Sequence, residues 1–207
     1  NGEPGPDVEY GNNPVVMVTD ETGYDKSKTY VMESNMRLVI DIPWVKGLSL
    51  TGNIAIDKTF MHRKAFQKPW YLYSWDGTTL DANNEPVVLP AKKGVTDPRL
   101  QEWMNDNAKT TINGLINYER TFDINHNVKV LLGAERITGD KMDFWAYRRF
   151  YGAESLDQMF AGGDAQKDNG GAASDEARQN YFGRVNYAFN SKYLAEFVWR
   201  YDGSYIF

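Results

Sequence analysis

Residues 180–203, NYFGRVNYAFNSKYLAEFVWRYDG, hold two alternating runs that meet at Asn190, Ser191 and Lys192. In the first, Tyr181, Gly183, Val185, Tyr187 and Phe189 alternate with Asn180, Phe182, Arg184, Asn186 and Ala188. In the second, Tyr193, Ala195, Phe197, Trp199 and Tyr201 alternate with Leu194, Glu196, Val198, Arg200 and Asp202. A period of two puts successive side chains on opposite faces of a strand, and a short polar break between two such runs predicts a hairpin. One face is almost wholly aromatic or aliphatic. The other carries full charges, which a dry core does not accept unpaired. A sheet that is oily outside and polar inside reads as a transmembrane barrel.

The same rhythm recurs upstream. Residues 28–42 set Tyr30, Met32, Met36, Leu38, Ile40 and Ile42 against Glu33, Asn35, Arg37, Val39 and Asp41. Residues 48–60 set Leu48, Leu50, Gly52, Ile54, Ile56 and Phe60 against Ser49, Thr51, Asn53, Ala55 and Asp57. Residues 111–122 set Ile112, Gly114, Ile116, Tyr118 and Phe122 against Asn113, Leu115, Asn117, Glu119 and Thr121, and residues 128–137 repeat the pattern more weakly, with Lys129 and Glu135 on the polar side. Arg120 breaks the oily face close to a turn, where a lipid-facing Arg costs only about 0 to 1 kcal/mol. The links near Val45, Asn125 and Ser191 are short, and residues 61–110 and 138–179 are expected to be long extracellular loops. Alternating short and long links characterise transmembrane barrels, and the runs match the roughly 9 to 11 residues that a tilted strand needs to cross a bilayer.

Composition narrows the alternatives. The net charge of −5 over 207 residues argues against nucleic acid or an anionic surface as the main partner, and the lack of cysteine excludes disulfides and thiolate metal sites. No apolar run approaches the roughly 18 residues of a spanning helix. The opening NGEPGPDVEYGNNP has neither the basic nor the apolar part of a secretory signal, and it reads as loop, with a possible short strand at Val15–Val18.

Each expected long loop contains a helix signal. Thr96, Asp97 and Pro98 predict a short helix reaching Trp103, and Ser155 before LDQMFAGG predicts a second cap, with Gly162 and Gly163 as the stop. The loops are also rich in aromatics. Phe66, Trp70, Tyr71, Tyr73 and Trp75, with Phe144, Trp145 and Tyr147, offer faces that stack on sugar rings, or else they pack the loops onto a barrel rim or a lid partner. Glu33, Arg37, Asp57, Glu119, Glu135, Arg184, Glu196 and Arg200 are expected to face the lumen, lining a path or pairing with one another. His62 and His126 fall near opposite ends of strands, and Asp164, Asp168 and Asp175 lack the spacing of a calcium loop, so no catalytic residue, metal site or cofactor is expected.

The run YFGRVNYAFNSKYLAEFVWRYDGSYIF resembles the hairpin of SusC/RagA-type TonB-dependent outer-membrane transporters, as do GYDKSKTY, KGLSLTGNIAID, TFDINHNVKVLLGAER and LDQMFAGG. The resemblance covers most of residues 23–207, and it departs at Tyr201 and Tyr205, where family members often carry Arg or Ser. It implies a barrel of about 22 strands around an N-terminal plug. It also implies energisation through TonB, a SusD-like surface lipoprotein as lid, and import of oligosaccharides or oligopeptides.

The expectation is therefore an all-β chain: a segment of a transmembrane antiparallel β-barrel in the outer membrane of a Gram-negative cell, about six strands in three hairpins. Plug and TonB box are expected to lie outside these residues. The role is active nutrient import rather than catalysis, with outer-membrane lipid, TonB and a SusD-like lipoprotein as partners and no nucleic acid. Alternatives are a passive porin or adhesin barrel, and a soluble, secreted glycan-binding β-sandwich.

Overall fold

The computed structural model describes residues 2–7 and 11–206, apart from the Ile206 side chain. The terminal Phe207 of the resembling run and Val8–Tyr10 of the opening stretch lie outside the described residues. Six strands follow in chain order: β1 (Gly23–Asp41), β2 (Leu48–Leu80), β3 (Pro86–Phe122), β4 (His126–Arg149), β5 (Asp168–Phe189) and β6 (Tyr193–Ile206). They form one antiparallel sheet in the order β1-β2-β3-β4-β5-β6, so each strand pairs with its chain neighbours. The β-sandwich alternative requires a second sheet, and these six strands share a single one.

The three short turns fall where the alternation breaks. Asp123 and Ile124 have φ of 44° and 62°, and Asn190 and Ser191 have φ of 50° and 54°. Two consecutive left-handed residues match the right-handed twist of the flanking strands, which is why such turns close hairpins. The Lys192 amide donates to the Phe189 carbonyl at 3.0 Å. The register across the last hairpin sets Tyr181 opposite Tyr201, Gly183 opposite Trp199, Val185 opposite Phe197, Tyr187 opposite Ala195 and Phe189 opposite Tyr193. These are the oily positions of both runs, and they share one face.

The expected long loops are mostly strand. β2 runs on to Leu80 and β3 starts at Pro86, joined by a tight turn in which Asp81 Oδ1 accepts from the amides of Asn83 at 2.8 Å and Glu85 at 2.9 Å. β4 runs on to Arg149 and β5 starts at Asp168, which leaves only residues 150–167 outside the sheet. The helix expected over Thr96–Trp103 is part of β3, because ladder partners on both sides satisfy its backbone and Leu100 is fully buried. Among the described residues Ser155 caps no helix; a 3-10 turn at Met159–Ala161 follows Gln158, which makes no side-chain capping bond. The strand considered at Val15–Val18 is instead a helical turn, α1 (Pro14–Met17). There Asn13 Oδ1 accepts from the amides of Val15 at 3.0 Å and Val16 at 3.2 Å.

The chain divides into two compact units. The first comprises Asn1–Lys28, Met61–Met104 and Phe144–Gly171, and the second Thr29–Phe60, Asn105–Asp143 and Ala172–Phe207. The first has a small core of Phe66, Leu100 and Tyr151, against which Tyr24, Met159 and Ala161 pack. The Phe66 and Tyr151 rings meet edge to face with centroids 5.3 Å apart. In the second, the large apolar side chains of the oily face stand exposed, with Met36 at 67%.

Candidate functional site

The second unit is a sheet with two unlike faces. Tyr30, Met36, Leu38, Ile40, Ile56, Ile112, Ile116, Leu132, Phe197 and Trp199 stand exposed on the oily one. Glycine shapes that face. A Cβ on Gly183 would lie 2.3 Å from Trp199 Nε1 and 3.1 Å from Leu132 Cδ2, so the missing side chain is what lets the indole lie flat across β5. Leu38, Ile40, Leu50, Ile116, Tyr181 and Trp199, with Gly52 and Gly114 among them, line a shallow apolar groove of about 660 Å³.

On the opposite face the polar groups meet one another. Lys129 Nζ lies 2.6 Å from Glu119, Arg200 Nε 2.7 Å from Asp202 and Arg184 Nε 3.9 Å from Glu196. Asn53 donates to Asn113 at 2.6 Å, and Asn180 to Glu135 at 3.0 Å. Glu33 and Arg37 on β1 and Asp57 on β2 are exposed on the same alternation. Asn180 is buried against Glu135, whereas the three ion pairs are solvent-exposed, so each contributes about 0 to 1 kcal/mol. Their value is a wettable surface rather than cohesion.

The first unit holds the aromatic residues, and the structure separates them by burial. Phe66 is 2% exposed and Trp70 8%, so neither ring has a free face for a ligand. The Trp70 indole lies over Gly94, where a Cβ would come within 2.6 Å of it. Tyr71 and Trp75 are exposed, as is Phe144; Tyr73, Trp145 and Tyr147 are half-buried. Trp75 Nε1 donates to the Thr79 carbonyl at 2.7 Å, which fixes the indole at the end of β2. Gly170 makes room for Trp145, whose ring a Cβ there would meet at 2.8 Å.

Residues 150–167 are fastened to this unit by ionic contacts that sequence spacing alone does not show. Arg148 donates to the carbonyls of Gly162 at 3.3 Å and Gly163 at 3.2 Å and to Asp164 at 2.8 Å. Arg149 holds both Asp97 oxygens through its Nε and Nη2 and also reaches Gln166 through Nη1. That guanidinium keeps the Asp97 carboxyl down at about 2. Asp157 accepts from the Tyr24 hydroxyl and lies 3.3 Å from Lys64 Nζ, and these partners hold its carboxyl below the ordinary range. Burial pushes the Tyr151 phenol up to about 12, and its hydroxyl has no hydrogen-bond partner among the described residues. His62 pairs with Glu102 at 3.1 Å, and His126 Nδ1 with the Tyr187 hydroxyl at 2.7 Å. Asp164 is occupied by Arg148 and Lys167. Among the described residues no group of three His, Asp or Glu is arranged to hold a metal ion.

This architecture has counterparts among solved structures. A chain of the RagAB peptide transporter matches with a TM-score of 0.68 at 18% identity, and chains of the RagAB peptide importer match in its closed-closed state (0.66, 16%) and its open-open state (0.67, 17%). Each match covers 87% of this chain and 18% of the other, so this chain spans less than a fifth of the matched proteins' length. No protein-family model and no curated protein matches the sequence. The fold is that of a β-barrel segment, one antiparallel meander of six strands.

Proposed function

We propose that this chain is part of the wall of an outer-membrane barrel that imports a nutrient. The observation that supports it most is the pairing of opposites across one sheet: an oily face that stands exposed among the described residues and a polar face whose charges pair in water. Hydrocarbon is the solvent that suits the first, and a water-filled lumen the second. In a bilayer every backbone polar group needs a partner, so the edges of β1 and β6 belong against further strands of a closed barrel. The apolar groove across β1–β6 fits an acyl chain, and Glu33, Arg37, Asp57, Glu119, Glu135, Arg184, Glu196 and Arg200 face the lumen.

The fold shared with the RagAB importer supports a transporter role. The cargo is an oligopeptide or oligosaccharide, admitted by alternate opening of a SusD-like lid and a plug, with energy supplied through TonB. Tyr71, Tyr73, Trp75, Phe144, Trp145 and Tyr147 are the aromatics left to meet the cargo or the lid.

Site-directed spin labelling of the intact polypeptide in bilayers tests the membrane reading. Labels at Met36 and Ile40 are expected to collide with oxygen dissolved in the lipid, and labels at Glu33 and Asn35 with an aqueous nickel chelate. The reverse pattern, or aqueous accessibility at all four, sinks it.

A further inference from the structure

The short-turn end of the second unit carries positive charge that the rest of the sheet does not explain. The three turns hold Lys46, Asp123 and Lys192 as their charged residues, and Arg120 lies just before the second turn on the oily face. The turns form one continuous rim. The Asn190 amide donates to the Asn125 carbonyl at 2.8 Å, and the Glu119 amide to the Gly47 carbonyl at 2.8 Å.

What sets Arg120 and Lys192 apart is how they are held. Three cations of the polar face, Lys129, Arg184 and Arg200, sit against carboxylates, and on the oily alternation Lys58 is paired with Asp106 at 3.1 Å. Arg120 and Lys192 have no carboxylate within ion-pairing distance among the described residues. They lie over aromatic rings instead, Arg120 at 5.0 Å from the Phe122 centroid and Lys192 at 5.7 Å from that of Tyr193. A ring orients a cation without neutralising it. Between them His126 is hydrogen-bonded to Tyr187 and lies 4.9 Å from the Phe189 ring.

Two of these turns have apolar tips. Trp44 is 82% exposed, and Ile124 is 93% exposed although its left-handed φ of 62° is costly for a β-branched residue. Strain kept at an exposed apolar tip points to a use for that tip. An aromatic belt with unneutralised cations and apolar tips matches the chemistry of a lipid headgroup layer, where hydrocarbon gives way to phosphate.

We propose that this rim, through Arg120, His126 and Lys192, is a binding site for the phosphodiester of an anionic glycerophospholipid, with Trp44 and Ile124 dipping into the same leaflet. The chain as a whole is at −5, so the preference is local: Arg120 and Lys192 present their charge where a phosphate sits, with the His126 imidazole between them, whereas Lys58, Lys129, Arg184 and Arg200 are paired within the protein. The proposal rests on the membrane reading, and its test separates the two.

The intact polypeptide, purified in detergent, is titrated with phosphatidylglycerol and with phosphatidylcholine of the same acyl chains, and retained lipids are counted by native mass spectrometry. The wild type is expected to retain phosphatidylglycerol preferentially. Each cation near a bilayer surface is worth about a factor of 5 in affinity, so R120Q/K192Q is expected to weaken phosphatidylglycerol on the order of 10- to 30-fold and leave phosphatidylcholine unchanged. The charge-conserving R120K/K192R variant keeps the preference. Equal retention of the two lipids by the wild type, or an undiminished preference in R120Q/K192Q, overturns the headgroup site and leaves the membrane reading intact. A polypeptide that stays monodisperse without detergent and retains neither lipid overturns both.

Discussion

Gly47 and Gly114 are both in or beside strands of the same unit, and only one of them is irreplaceable. Gly47 ends the first short turn at a φ of 83°, and a Cβ there would lie 1.8 Å from the Glu119 carbonyl oxygen. Its own carbonyl accepts the Glu119 amide, so any retreat of the backbone also weakens that bond. Gly114 has ordinary strand dihedrals and open space where a Cβ would go. Gly47→Ala is expected to cost about 1 to 3 kcal/mol, as overpacking against fixed backbone does. Gly114→Ala is expected to be neutral or to gain up to about 1 kcal/mol, because Gly inside a strand is the costlier residue. The temperature at which the barrel loses its resistance to detergent on a gel distinguishes them: Gly47→Ala lowers it and Gly114→Ala does not.

At the scale of elements, the instructive pair is Asn13-Pro14 and Asp97-Pro98. Both place a capping side chain before a proline, and spacing alone predicts the helix at the second. The structure puts it at the first, where no strand competes for the backbone and Asn13 accepts from two amides. At the second, β2 and β4 flank the chain, and Asp97 gives its oxygens to Arg149 rather than to an amide. Alternation located all six strands and the three short turns, because a face that is oily throughout has only one register. It did not foresee how far β2, β3 and β4 continue, since strands that run on through polar sequence lose the periodic signal. Burial within the aromatic set was equally invisible, as Phe66 and Trp70 differ from Tyr71 and Trp75 only in what packs on them. The Arg149–Asp97 contact gives the 150–167 segment an acid dependence. Asp97 is lowered from 3.8 to about 2, so its contribution is complete above the ordinary value and fades as pH falls through the lowered one. Limited pepsin digestion should cut within 150–167 faster at about pH 2 than at about pH 4, and D97N should narrow that difference by being cut more readily at about pH 4, with Asp157 and Asp164 still held by their own cations.

For the whole molecule, the membrane reading assigns each face of one sheet a different solvent, and a single strand tests both. Leu131 and Leu132 are consecutive residues of β4 with side chains on opposite faces, Leu132 exposed on the oily one. Counting from His126, they lie close to the middle of the roughly 9 to 11 residues that cross a bilayer. Leu132→Arg therefore sets a charge near the midplane on the lipid side, at an expected cost of about 2 to 4 kcal/mol. Leu131→Arg sets the same charge one residue away toward water, among Lys129, Glu135 and their partners, where the expected cost is within about 1 kcal/mol. Native Arg120, three residues before the turn at Asp123, is the internal control, since depth and not charge alone sets the penalty. Urea unfolding of the two variants in phospholipid vesicles gives the comparison directly. A gap of about 2 kcal/mol or more, with Leu132→Arg the weaker, is what a lipid-solvated face requires, and equal costs would mean that the oily side chains of this sheet meet protein instead.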